Sequence, residues 1–374
     1  MKFVLNSILL LFSIQAHSIE DCLVLKGPEE IPLIKNNFLA DINEVAFQAS
    51  LSTNVKKVED FCAQSNDWAK KSKYAVDHKG KLKKGLILKG YYRGCRHDVS
   101  WMQNVRENLC EGPNLKSKTT LKSLKTEKIP GNFVFLFDGL GSFNAKLGKE
   151  NGASNLDGTE GVDLRMGNGD AVNNLVGPMK EVLKDDFQLS YYGSSGLYKR
   201  ENVDSASACA DQIAYYTDTL KSLNAPVPNS KWIAVGYSNG GDRSIEFQRE
   251  AEERGRKVDL VFTVDPVTQW ASFIYGGLRK SIGNKAASTG RFVNLYEQDD
   301  KGSMPLMQIE GKPVRRADVN VLLDPSNTKE LEAKKNNHQR IIHTQVVKDY
   351  LTCELKALSS EEKCDYSKLV TEKK

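Results

Sequence analysis

No apolar run in this chain is long enough to cross a bilayer, which takes about 20 consecutive apolar residues for ~30 Å of hydrocarbon. A polytopic membrane protein is therefore excluded. Charge of one sign is also scarce: 53 Lys and Arg face 48 Asp and Glu, and the formal net of +5 gives no argument for a nucleic-acid partner. The 28 Gly and 11 Pro follow no collagen-like period, which excludes a fibre. No two cysteines form a C-x-x-C pair, so a finger-type zinc site is not expected. H-E-x-x-H is absent, and no G-x-G-x-x-G follows a strand. The nearest approach to a P-loop fails twice: six residues separate Gly141 from Gly148-Lys149, and Glu150 stands where a Ser or Thr is required. The reading is of a protein without cofactor, nucleotide or metal. What the chain does have is a 40% hydrophobic content, enough to bury a core and to exclude wholesale disorder.

The first residues carry one lysine, Lys2, then the apolar run Ile8 to Ile14 and the small-residue step Ala16-His17-Ser18. This is the layout of a secretory signal peptide over residues 1–18, and it predicts an exported, soluble mature chain, secreted or periplasmic. Cys22 follows the charged Glu20-Asp21, unlike a lipidation site. Export permits disulfides among the seven cysteines. Cys353 and Cys364 are expected to pair. Cys22, Cys62, Cys95 and Cys110 are expected to form two bridges among themselves. Cys209 is left over, on the small-residue face Ser205 to Ala210, and reads as a buried free thiol.

Residues 19–129 form a basic, cysteine-bearing region with helical spacing of apolar residues around Val55 to Phe61. From Lys70 to Arg96 ten basic residues accompany one acid, Asp77, a run suited to an anionic envelope surface. A small, mainly helical module is expected there. From residue 130 the texture changes to apolar strands alternating with helices. Phe133 to Phe137, Phe187 to Tyr192, Trp232 to Tyr237, Asp259 to Val264, Phe292 to Tyr296 and Val319 to Leu323 read as strands. Ala171 to Leu183, Val203 to Leu223, the charged Asp242 to Arg254 and Thr344 to Leu358 read as helices. This alternation predicts an α/β domain over residues 130–358, a mostly parallel sheet with helices on both faces, followed by a tail at 359–374. Residues 144–170 form a long Gly-rich stretch beside the first strand, a candidate lid.

Chemistry is carried by Gly236-Tyr237-Ser238-Asn239-Gly240, a G-x-S-x-G motif placed where a buried strand meets a helix. Only small residues fit two positions before and two after a nucleophile held in so tight a turn. With this motif and the later phrase Val258 to Val267, the chain resembles the lipase-like members of the α/β-hydrolase superfamily over roughly residues 131–355. The resemblance implies a serine hydrolase acting on ester, and in particular lipid, substrates, without cofactor. It implies the order nucleophile, acid, histidine. Ser238 is the nucleophile. Only His338 and His343 follow it, and His343, directly before the last helix, is favoured as the base. Asp265, ending its strand, is favoured as the acid over Asp299 and Asp300 after the next strand. The oxyanion donors are expected to be the backbone N–H groups of Asn239 and of Leu140. Asp138 stands where many lipases have a histidine. Amide cleavage uses the same apparatus, and a hydrolase-fold binding protein with a silent triad is the non-enzymatic alternative.

Overall fold

In the computed structural model, the described residues are 49–50, 53–75, 95, 100–111, 129–140, 170–194, 199–267, 283–298, 311–331, 337–360 and 363–370. The expected signal peptide, Cys22, Asp299, Asp300, most of the Lys70 to Arg96 run and almost all of the 144–170 stretch lie outside them.

Among the described residues six parallel strands form one sheet: β1 (Asn132–Leu140), β2 (Phe187–Ser194), β3 (Lys231–Tyr237), β4 (Leu260–Val264), β5 (Arg291–Tyr296) and β6 (Val319–Leu322), in the order β2-β1-β3-β4-β5-β6. Residues 133 to 137 of β1 are all buried, as a strand covered on both faces requires. The pleat then sorts them. Phe133, Phe135 and Phe137 enter one core with helices α4 (Lys199–Ser222) and α5 (Asn239–Glu253). Val134 and Leu136 enter the other with α3 (Asp170–Leu183) and α7 (Gln345–Ser360). Helices therefore cover both faces, and the strand order reverses direction between β1 and β3. Crevices outside the carboxyl ends of strands at such a reversal are where doubly wound sheets bind ligands.

The described N-terminal residues share the first of these cores with the sheet. Helix α1 (Val55–Ala75) places Phe61 edge-on to Tyr216 of α4 at 4.9 Å between ring centroids. Trp68 meets Tyr215 edge-on at 5.3 Å. Helix α2 (Ser100–Arg106), continued by a π-helical turn at Glu107–Glu111, sets Trp101 against Phe133 and lets its indole N–H donate to Gln188 Oε1 at 2.6 Å. Burying a large aromatic side chain contributes about 1.5–3 kcal/mol. Phe61 and Trp101 therefore attach this region to the α/β layer as part of its core.

Two disulfides add covalent links, one within the N-terminal region and one between it and the α/β layer. Cys62–Cys110 joins α1 to the π turn, and Cys95–Cys209 joins the N-terminal region to α4 across 114 residues. The second corrects two expectations: Cys209 is not a free thiol, and Cys95 does not pair within residues 22–110. Its partner is remote in sequence, so the small-residue face around Cys209 registered only as a packing surface. Cys353–Cys364 forms as expected. Disulfides of this kind persist in oxidising compartments. Among the described residues, no helix is long and apolar enough to cross a membrane.

Candidate active site

Strand β3 ends at Tyr237 and α5 begins at Asn239, leaving one residue, Ser238, to make the turn. Its backbone adopts φ 56°, ψ −126°, a conformation that L-residues rarely take. The elbow is held there from several sides. Ser238 N–H donates to Val264 O at 2.9 Å, while its carbonyl accepts from Gly241 N–H at 2.9 Å and Val267 N–H at 3.1 Å. The flanking glycines are sterically required: a Cβ on Gly236 would lie 2.4 Å from Gly240 O, and one on Gly240 would lie 2.1 Å from Phe137 O. The motif thus meets its structural condition in full. Ser238 is 6% exposed, set at the carboxyl edge of the sheet beside the positive end of α5.

Ser238 Oγ lies 2.8 Å from Nε2 of His338. On its other side the same imidazole bonds through Nδ1 to Asp265 Oδ2. Asp265 is fully buried directly after β4 and takes φ 47°. Its Oδ1 accepts the N–H of Glu297 at 3.0 Å, and its own N–H donates to Leu295 O at 2.6 Å. Gly311 leaves the space this carboxylate occupies, since a Cβ there would lie 1.6 Å from Oδ1. With the carboxylate accepting at Nδ1, the neutral ring presents Nε2 as an acceptor to the serine hydroxyl. The three groups are arranged in the order and contact that a serine–imidazole–carboxylate triad requires.

The structure brings Ser238 and Asp265 together as the sequence suggested, but the histidine between them is His338. His343 is exposed, on the turn after the short helix α6 (Asn337–Ile341), where its N–H donates to Arg340 O. The expectation had placed the base immediately before the last helix. Instead α6 intervenes and carries His338 on its inner side, while the following turn directs His343 to solvent. Tyr237, the residue before the serine in the motif, holds His338 in place. Its hydroxyl donates to His338 O at 2.8 Å, and its ring stacks on the imidazole at 5.5 Å between centroids.

Of the two residues expected to donate to an oxyanion, Asn239 directly follows the serine and Leu140 ends β1. Asn239 opens α5, and Gly139, which precedes Leu140 at the end of β1, packs so closely that a Cβ there would lie 3.3 Å from Ser238 Cβ. Asp138, in the place where the resemblance puts a histidine, is fully buried and has a different task. Its carboxylate accepts the N–H groups of Gly139 at 2.7 Å and Ala171 at 3.1 Å and the Tyr191 hydroxyl at 3.2 Å. It pins the end of β1 to the positive N-terminus of α3.

Sequence reasoning missed Glu297, buried just after β5. One carboxylate oxygen of it, one of Asp265 and one ring nitrogen of His338 lie within 4.8 Å of one another, a geometry that also suits a metal ion. Both nitrogens of His338 and both oxygens of Asp265 are already engaged, so a cation there has to break the relay to bind.

No protein-family model matches the chain, and no curated protein matches it. Among solved structures, it is similar to the lipase B of Aspergillus fumigatus at 11% identity and a TM-score of 0.33, covering 86% of this chain and 87% of that one.

Proposed function

We propose that the chain is an exported serine hydrolase that cleaves carboxylic esters, lipid-type esters among them, through an acyl-enzyme intermediate. One observation carries this reading: Ser238 Oγ stands 2.8 Å from His338 Nε2, and the same ring is held through Nδ1 by buried Asp265. The chemistry follows from the geometry. His338 takes the hydroxyl proton as Oγ attacks the ester carbonyl carbon. The oxygen that becomes negative sits beside the backbone N–H groups assigned to it, those of Asn239 and Leu140. Losing one such donor costs roughly 100- to 1,000-fold in rate. His338 then returns the proton to the leaving alkoxide, and water repeats the sequence on the acyl-enzyme. Asp265 stays ionised throughout, fixing the tautomer and stabilising the transient imidazolium.

The signal-like residues 1–18 and the three disulfides support export to an oxidising compartment. The basic run from Lys70 to Arg96 is assigned to contact with an anionic envelope surface. Labelling by a fluorophosphonate tests the hydrolase reading directly, because only an activated serine reacts. The intact chain is expected to label and Ser238→Ala to stay unlabelled. Failure of the intact chain to label, together with no turnover of aryl esters, leaves only a binding protein with a silent triad.

A further inference from the structure

Arg243 lies within α5, five residues after the nucleophile, and is fully buried at 0% exposure. None of its three guanidinium nitrogens has a hydrogen-bond partner among the described residues. Burial pushes its pKa down to about 10, with the charges of Asp242 and Glu246 acting in the opposite direction, so the group is still a cation at neutral pH. A buried, unbonded cation is among the least favourable arrangements a protein can hold.

Helical periodicity locates the group. One turn further on, Phe247 packs on Phe135 and Phe137 of β1, at 4.6 and 5.7 Å between ring centroids. Seven residues on, Glu250 accepts the hydroxyl of Ser207 on α4 at 2.7 Å. Arg243 falls on this stripe, between the directions of β1 and α4. Long side chains on a helix lean toward its N-terminus, and one turn of α-helix rises ~5.4 Å. The guanidinium therefore extends toward the carboxyl edge of the sheet, at the level of the elbow. It does so on the side opposite Pro266, against which Gly241 packs and beyond which Asp265 and His338 stand. On this placement Arg243 and the Asp265–His338 pair lie on opposite sides of the first turns of α5, at the sheet edge where the strand order reverses.

We propose that Arg243 recognises an anionic group on the substrate, a carboxylate or a phosphate-type oxyanion a few bonds from the scissile ester. The proposal rests on Ser238 being the nucleophile and names the substrate class of that site. A guanidinium offers two parallel N–H donors to such a group, and in a water-excluded position the pairing is stronger than in solvent. The buried cation is then retained for the complex, in which it is paired.

The test compares three esters of similar acyl length on the full chain: 4-nitrophenyl valerate, the 4-nitrophenyl monoester of glutaric acid and 4-nitrophenyl 4-phosphonobutyrate. One anionic ester is expected to exceed valerate in kcat/KM by on the order of 10- to 100-fold, the value of a charge-assisted hydrogen bond. Which of the two it is distinguishes carboxylate from phosphate recognition. Arg243→Met should bring that ratio to about one, and Arg243→Lys should keep part of it. If the Met variant does not fold, the Lys variant decides, because an unchanged ratio there overturns the proposal. A ratio near one in the unaltered protein, or a ratio that survives Arg243→Met, also overturns it. Separately, in the Ser238→Ala protein, glutarate or inorganic phosphate should raise the thermal midpoint, and adding Arg243→Met should abolish the rise. That arm needs no turnover, so it judges the anion site even if the hydrolase reading fails. No rise with either anion counts against Arg243.

Discussion

His338 and His343 lie five residues apart, and exchanging them for alanine separates two readings of the same sequence. Removing His338 deletes the group 2.8 Å from Ser238 Oγ and leaves Asp265, fully buried, without the imidazole on its Oδ2. Losing one member of such a triad lowers kcat by roughly 10^4- to 10^6-fold. Stranding the buried carboxylate should also destabilise the fold by about 1–3 kcal/mol, the desolvation penalty of a group that loses its partner. His343 is exposed, and a change there should stay within about 0.5 kcal/mol and leave kcat unaltered. Initial rates on 4-nitrophenyl butyrate and thermal midpoints of both variants give the comparison, and His338→Gln separates the loss of a base from the loss of packing. Full activity in His338→Ala, or loss of activity in His343→Ala, refutes the assignment of the base.

Four further outcomes follow from particular contacts. Tyr237→Phe keeps the ring on His338 but removes a 2.8 Å hydrogen bond to its carbonyl; it should cost about 0.5–1.5 kcal/mol by chemical denaturation, and kcat/KM should fall with it. Gly311→Ala puts a Cβ 1.6 Å from Asp265 Oδ1, so kcat should drop by about 100-fold or more although residue 311 does not touch the serine; near-normal activity contradicts the placement of the acid. Replacing both Cys95 and Cys209 by serine should lower stability by about 2–4 kcal/mol in non-reducing conditions, while labelling of Ser238 in the folded fraction persists. Burial raises the Glu354 carboxyl above its ordinary value, against the pull of Arg291, so the folded state holds this proton more tightly than the unfolded chain. Its contribution is fully present below the unfolded pKa and declines as pH rises through the folded one. Glu354→Gln removes the decline, and its thermal midpoint relative to the unaltered protein should rise from acid to neutral pH.

Local constraints made much of the fold and part of the site legible. The strands announced themselves as short, mainly apolar runs because a sheet covered on both faces admits a polar side chain only where it finds a partner, and Phe133 to Phe137 show the apolar case on both sides at once. Ser238 was legible because its turn dictates its neighbours. Gly236 and Gly240 answer to backbone atoms within four residues or on the adjacent strand, and a five-residue window records that demand. Asp265 was legible for a related reason: it directly ends the buried strand that follows the elbow helix.

What stayed hidden depends on contacts made across long stretches of chain. His338 is held by Tyr237, 101 residues earlier, and by Asp265, 73 residues earlier, neither of which leaves a trace near residue 338. Cys209 meets Cys95 across 114 residues, so its small neighbours gave no sign of a bond. Arg243 is the sharpest case. The run Asp242 to Arg254 is dense in charge and reads as a charged helix, yet residues 239 to 245 of α5 are all buried. The strained elbow forces the start of the helix inward, against β1 and Pro266, and carries a charged side chain with it. A propensity scale judges that arginine by its type and places it in water. The fold places it by its distance from Ser238. Where those two assignments conflict most, at a buried cation with no described partner five residues after Ser238, the conflict itself marks the position most worth substituting.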